Sequence, residues 1–268
     1  MKVAILAGGR GTRLLGGESA HPKALFEIGG RPIIWHIMNL YAAAGMTDFL
    51  LLLGYKADEI VEYFVNRLPF QGRDLRLTIG NGIEPHFARE EEAPRWNVSL
   101  CHTGLNSEKG ERIRRIRAEV EDDDCFMVTY GDGLIDLDLR VLVDYHRACG
   151  KVATLTAIRA RSQFGHVMLD DSGGTVTEMV ENPLLPDWIN GGFFIFSREI
   201  FDWLEPNDTL ETGCLRRLAA AGQLAAYRHE GFWACMDTYK DNLRLNELWE
   251  SGQAPWRRPG VGEGGSDG

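Results

Sequence analysis

The residues best suited to chemistry lie near the start of the chain, in Gly8-Gly9-Arg10-Gly11-Thr12-Arg13, with Pro22-Lys23 soon after. They follow a short apolar run, Val3-Ala4-Ile5-Leu6-Ala7. A buried strand that ends in glycines leaves free backbone N–H groups at its carboxyl end, the edge where open α/β sheets bind ligands. Those groups suit phosphate oxygens, and glycine lets the backbone come close. Arg13 and Lys23 add fixed positive charge at the same place. The pattern describes a site for a nucleoside triphosphate whose phosphates are moved; a tight turn carrying solvated arginines is the plain alternative. The dinucleotide fingerprint fails, because no third glycine follows Gly9-x-Gly11 at the required spacing. Walker A fails too, because Gly8 leads to Arg13-Leu14 and not to Gly-Lys-Ser/Thr.

Two isolated carboxylates stand far apart in the chain. Asp132 sits between Gly131 and Gly133 after the apolar run Phe126–Tyr130. Asp237 follows Phe232-Trp233-Ala234-Cys235-Met236. Acids from distant segments at a sheet edge are a natural way to hold Mg²⁺ against phosphates. The ordinary readings remain open: Asp132 as a turn residue, Asp237 as the N-cap of a helix over Lys240–Glu250.

The elements that must position these groups alternate. Strands are predicted at Val3–Ala7, Phe49–Leu53, Trp96–Thr103, Phe126–Tyr130 and Ala153–Ile158. Helices are predicted at Arg31–Ala44, Asp58–Arg67, Arg112–Val120 and Leu139–Cys149. This order gives an α/β fold with a Rossmann-like, mostly parallel sheet flanked by helices. After Ala160 the strands His166–Leu169, Thr175–Val180 and Gly192–Ser197 suggest a smaller mixed-sheet region on the acceptor side of a cleft, followed by helices at Asn207–Ala221 and Lys240–Glu250. Pro69–Pro94 has a looser texture, fit for a flap or a subunit contact. The glycine-rich tail, residues 257–268, is expected to be disordered.

Composition narrows the class. The 268 residues suffice for a full α/β core, and 44% apolar with 25% charged residues is ordinary for a globular protein. A formal net charge of −10 argues against a general nucleic-acid binder. Five cysteines without a Cys-x-x-Cys pair favour free thiols and a cytoplasmic location. Val3–Ala7 is too short for a signal-peptide core, and no apolar run is long enough to span a membrane. Trp35, Trp203, Trp249 and His36 read as packing residues.

Leu6-Ala7-Gly8-Gly9-x-Gly11-Thr12-Arg13-Leu14 with Pro22-Lys23 resembles the signature of the sugar-1-phosphate nucleotidylyltransferases, and among them the cytidylyltransferase branch. The resemblance extends through Glu27-Ile28-Gly29-Gly30-x-Pro32, Thr129-Tyr130-Gly131-Asp132-Gly133, Ile189-Asn190-Gly191-Gly192-Phe193-Phe194 and Met236-Asp237-Thr238 to about Trp256. It implies one nucleotidyltransferase domain over residues 1–256, in which 1–158 mainly bind nucleotide and 159–256 mainly bind acceptor. It implies CTP and a small phosphate acceptor as partners, Mg²⁺ as cofactor, and self-association. Leu6, Ala7, Gly8, Gly9, Arg10, Gly11, Thr12, Arg13, Lys23, Arg112 and Asp132 are then expected at the nucleotide. Arg13, Lys23 and Asp132 would be catalytic, and Asp132 with Asp237 would carry the metal. Tyr130, Gly165, Glu181, Asn182, Asn190 and Gly191 would line the acceptor pocket.

Three departures cluster on the acceptor side. Glu181-Asn182-Pro183 stands where the family has Glu-Lys-Pro, so an ammonium for the sugar phosphate is missing. Lys109-Gly110-Glu111-Arg112 replaces Thr-Gly-Gly-Arg, and Leu210-Glu211-Thr212-Gly213-Cys214-Leu215 lacks an acid and a proline. They leave open another base (dTTP, UTP or GTP) with an acceptor that is a modified sugar, a cyclitol, or a non-sugar phosphate or phosphonate. A silent nucleotide-binding module is an alternative of another class, and the intact Arg13, Lys23, Asp132 and Asp237 speak against it.

Overall fold

The computed structural model describes residues 1–9, 21–68, 96–162 and 164–257, and the backbone strands 75–79 and 83–87. Arg10, Gly11, Thr12, Arg13 and the tail from 258 lie outside the described residues.

Among the described residues, seven strands form the central sheet. Their spatial order is Leu224–His229, Ala153–Arg161, Leu184–Ser197, Cys125–Tyr130, Lys2–Leu6, Asp48–Leu53 and Asn97–His102. Four pairings are parallel; the strand Leu184–Ser197 runs antiparallel to both of its neighbours. The sheet is buried on both faces because alternate residues along each strand feed two cores. Val3, Ile5, Phe49, Leu51 and Met127 pack with the helix Ile33–Ala43 on one side. Ala4, Leu50, Leu52, Phe126 and Val128 pack with Ile113, Ile116, Leu215 and Leu218 on the other.

Several boundaries differ from expectation. Gly192–Ser197 is only the end of a strand that begins at Leu184, and it belongs to the central sheet and not to a separate one. The hairpin His166–Leu169/Val176–Val180 does stand apart as its own antiparallel pair. Arg31-Pro32 forms a short strand with Glu27-Ile28, so the first helix starts at Ile33. The helix expected over Asn207–Ala221 is a widened turn at Leu210–Cys214 followed by Leu215–Ala220. Within the loose segment 69–94, the strands Leu75–Ile79 and Ile83–Phe87 pair antiparallel; the rest lies outside the described residues. No helix among the described residues is long and apolar enough to cross a membrane.

The parallel strands Lys2–Leu6, Asp48–Leu53, Asn97–His102 and Cys125–Tyr130 all end at one edge of the sheet. Gly8, Gly54, Gly104 and Asp132 follow them, so residues distant in sequence meet there.

Candidate active site

A cavity of about 720 Å³ opens at this edge. Its wall includes Leu6, Gly8 and Gly9, the loop from Leu105 to Lys109, Arg112, Tyr130 to Asp132, and Asn190. Trp233, Cys235 and Asp237 close another part of it.

Asp132 and Asp237 meet through local strand pairing. Gly133–Ile135 pairs antiparallel with Trp233–Cys235, Cys235 lying opposite Gly133. The Met236 N–H then donates to the Asp132 carbonyl at 2.9 Å. Asp237 is not the cap of the following helix. Thr238 caps Tyr239–Glu250 in a reciprocal box with Asp241, which leaves the Asp237 side chain facing the cavity.

Lys23 begins a short turn after Pro22. Its ammonium donates to Asp132 Oδ2 at 2.5 Å and to Asp237 Oδ1. Its side chain is only 15% exposed. Burial disfavours the charge, yet the two carboxylates outweigh it and hold the Lys23 pKa above its ordinary value. A cation therefore already lies between these carboxylates.

Arg112, only 5% exposed, is a brace. Its guanidinium donates to the carbonyls of Leu53, Gly104 and Gly8 and to Thr103 Oγ1. It thus ties together the ends of three strands. A Cβ on Gly8 would lie 2.6 Å from the guanidinium, and one on Gly54 2.5 Å away. A side chain at either position would push the guanidinium out of this place.

Among the residues expected at the acceptor, the Tyr130 hydroxyl donates to Glu211 Oε1 at 2.6 Å and accepts from Asn190 Nδ2 at 3.0 Å. Burial, then the neighbouring Glu211 carboxylate, pushes the Tyr130 pKa far up, so the hydroxyl stays protonated. Lys109 pairs with Glu211 and lies 4.5 Å from the centre of the Tyr130 ring. Burial alone would raise the Glu211 pKa, but Lys109 and Tyr130 hold it below the usual carboxylate range. Two of the departing segments therefore meet in one network. Glu111 belongs elsewhere: Arg114 and Arg115 hold it, and it accepts from the Asn207 N–H.

The remaining acceptor candidates are spread out. The Gly191 carbonyl accepts from Trp233 Nε1 at 2.8 Å, close to Asn190. Gly165 and Glu181 oppose each other on exposed backbone, a Cβ on Gly165 falling 2.6 Å from Glu181 Oε2. Asn182 is exposed, with a left-handed φ of 50°, and its carbonyl accepts from Arg161 Nη1. Among the described residues that wall the cavity, Asn190 and Tyr130 are present and Gly165, Glu181 and Asn182 are not.

Sequence reasoning missed Cys235 and Trp233 as wall residues. The signal was available: Cys235 ends a short strand and stands two residues before Asp237, and both line the cavity.

Residues 2–249 match the family described as Nucleotidyl transferase. The chain is 44% identical over 260 residues to the glucose-1-phosphate cytidylyltransferase of Salmonella typhi, covering 96% of this chain and 99% of that one. It is 39% identical, with the same coverage, to the probable glucose-1-phosphate cytidylyltransferase of Bacillus subtilis. Among solved structures, HddC from Yersinia pseudotuberculosis superposes with a TM-score of 0.66 at 21% identity, over 92% of this chain and 99% of that one.

Proposed function

Because this chain belongs to the nucleotidyl transferase family, we propose that it transfers CMP from CTP to glucose 1-phosphate or a close sugar 1-phosphate and releases pyrophosphate. One observation carries this reading: Lys23 held between Asp132 and Asp237, beside the Gly8-Gly9 turn, in a chain alike end to end to two cytidylyltransferases. That likeness favours CTP over the other bases and catalysis over a silent binding module.

A phosphate oxygen of the acceptor attacks the α-phosphorus of CTP. The new P–O bond forms as the bond to the β-phosphate oxygen breaks, and the electron pair leaves with pyrophosphate. Such transfers rest on positioning and charge neutralisation. Backbone groups of Gly8 and Gly9, continued by Arg10, Gly11 and Thr12, would cradle the triphosphate, with Leu6 and Ala7 beneath it. Arg13 would hold the departing phosphates and Lys23 the reacting ones. Arg112 works at one remove: its donors go to the strand ends, so it fixes the turn that meets the nucleotide.

Asp132 and Asp237 would hold a divalent ion, read as Mg²⁺. The fit is physical: the two carboxylates already share one cationic group, Lys23. The ion would supply neutralising charge to the triphosphate.

Tyr130, Asn190 and Gly191 would meet the sugar, with Gly165, Glu181 and Asn182 at the outer rim. Lys109, which lines the cavity and lies 4.5 Å from the centre of the Tyr130 ring, would stand in for the ammonium that Asn182 does not provide. Nucleotide binding falls mainly to residues 1–158 and acceptor binding to 159–256. The same reading makes the chain a cytoplasmic homo-oligomer. Exposed apolar side chains on the outlying hairpin (Val167, Met168, Leu169, Val176 and Met179) support self-association.

The test is pyrophosphate release with Mg²⁺, crossing CTP, dTTP, UTP, GTP and ATP with glucose 1-phosphate and other phosphate acceptors. Release that is fastest with CTP and glucose 1-phosphate is expected. Release with another pair alone would replace the substrates. Silence, with nucleotide still bound, would overturn catalysis.

A further inference from the structure

The metal-facing wall contains a third ligating atom that the family reading does not use. Cys235 Sγ and one carboxylate oxygen each from Asp132 and Asp237 lie within 4.8 Å of one another. All three residues line the cavity. The backbone fixes this arrangement: Cys235 is registered opposite Gly133, the neighbour of Asp132, and stands two residues before Asp237. The Lys23 ammonium, bonded to both carboxylates, marks the place as one that takes a cation.

Donor type decides which cations gain from the third ligand. Mg²⁺ is a hard ion that takes oxygen ligands and keeps much of its water, so it gains little from sulfur. Zn²⁺, Co²⁺ and Cd²⁺ bind thiolate strongly. Around one tetrahedral ion, bonds of about 2.3 Å to sulfur and about 2.0–2.2 Å to oxygen set neighbouring donors about 3.5 Å apart. The three donors already lie within 4.8 Å of one another, so each pair closes by at most about 1.3 Å to meet that spacing.

We infer that Cys235 is a third protein ligand for thiophilic divalent ions, which bind at Asp132 and Asp237 through an oxygen, oxygen, sulfur set. This rests on the proposed metal role of the two aspartates. Binding forms a metal–sulfur bond, and the thiol proton leaves to solvent. The consequence is a centre that Mg²⁺ occupies through carboxylates alone and that Zn²⁺ or Cd²⁺ takes over with higher affinity. Such an ion would also hold both carboxylates away from Lys23.

The test is a Co²⁺ titration of the full chain, reduced and without nucleotide, read by absorption. The expected result is an intense near-ultraviolet thiolate-to-cobalt band that saturates at one equivalent, is bleached by Zn²⁺, and is absent from both Cys235→Ser and Cys235→Ala. Zn²⁺ affinity should fall at least about tenfold in Cys235→Ser, with Mn²⁺ affinity, read by electron paramagnetic resonance, changing far less. Circular dichroism of the two variants separates loss of the ligand from loss of the fold. Co²⁺ that binds without the band, and is lost in Asp132→Asn, would overturn the role of Cys235 and leave the aspartate reading standing. Co²⁺ binding that ignores both Asp132→Asn and Asp237→Asn would overturn the aspartate reading itself, and this inference with it.

Discussion

The Arg112 guanidinium sits 2.6 Å from where a Cβ on Gly8 would be, and it donates to the Gly8 carbonyl. The turn proposed to meet the triphosphate is therefore built against a buried charge. Arg112→Ala would leave the Gly104 carbonyl without its donor, while the Leu53 and Gly8 carbonyls would keep the Thr103 and Tyr55 N–H groups. A buried acceptor left unpaired costs about 1–3 kcal/mol, so a loss of about 2 kcal/mol is expected in urea unfolding. Arg112→Lys reaches fewer of these acceptors and should recover only part of the loss. Nucleotide affinity should fall in step with stability across the two variants; an unchanged unfolding midpoint would refute the bracing role.

Lys109, Tyr130 and Glu211 form one network on the proposed acceptor side. Tyr130→Phe removes the hydroxyl bonded to Glu211 and Asn190. Glu211→Gln removes the carboxylate that pairs with Lys109. Each should raise the acceptor KM by about tenfold, the effect of roughly 1.4 kcal/mol, with the CTP KM little altered. Steady-state kinetics with each substrate varied would reveal it. An equal rise in both KM values would place the network at the nucleotide instead.

Lys23 is the side chain held by both proposed metal ligands. Lys23→Ala should lower kcat by about 10²–10³, the loss typical of one transition-state charge donor. The same variant frees Asp132 and Asp237 from their ammonium, so Mn²⁺ should bind it more tightly than it binds the wild type. A variant with normal kcat would remove Lys23 from the catalytic set.

His36 is a buried neutral imidazole: Nε2–H donates to the Ile28 carbonyl and Nδ1 accepts from Trp256 Nε1. Burial pushes its pKa down to about 4. The unfolded imidazole takes a proton below about 6.5, and the folded one does so only near 4. Protons therefore favour unfolding between these values. The contribution is whole above pH 6.5 and is lost as the pH falls to 4, a change of roughly 3 kcal/mol. His36→Gln should flatten the acid side of the stability profile; an identical profile would exclude this histidine.

The elements around the site were legible where pattern and chemistry agreed. Phe126–Tyr130 followed by Gly131-Asp132-Gly133 reads as a buried strand with an acid at its end, and it is one. Cys235 was hidden because a thiol in a short strand has no metal spacing of its own; its partners are carboxylates brought by strand pairing. The long strand through Leu184–Asn190 was hidden by Pro186 and by exposed, mixed residues, which weaken the two-residue period. Glu211 and Lys109 were visible as unusual residues, but only the fold shows that they pair across 102 positions. Asp237, expected as a metal ligand, also allowed a helix-cap reading because it precedes the helix; Thr238 takes the cap instead.

CMP transfer can be followed by ³¹P nuclear magnetic resonance of the chain with CTP, glucose 1-phosphate and Mg²⁺. Loss of the CTP resonances is expected, with a new pair of coupled diphosphate signals and pyrophosphate rising in equal amounts. Asp132→Asn should abolish both. Pyrophosphate without the diphosphate product, or CTP left intact while bound, would contradict CMP transfer.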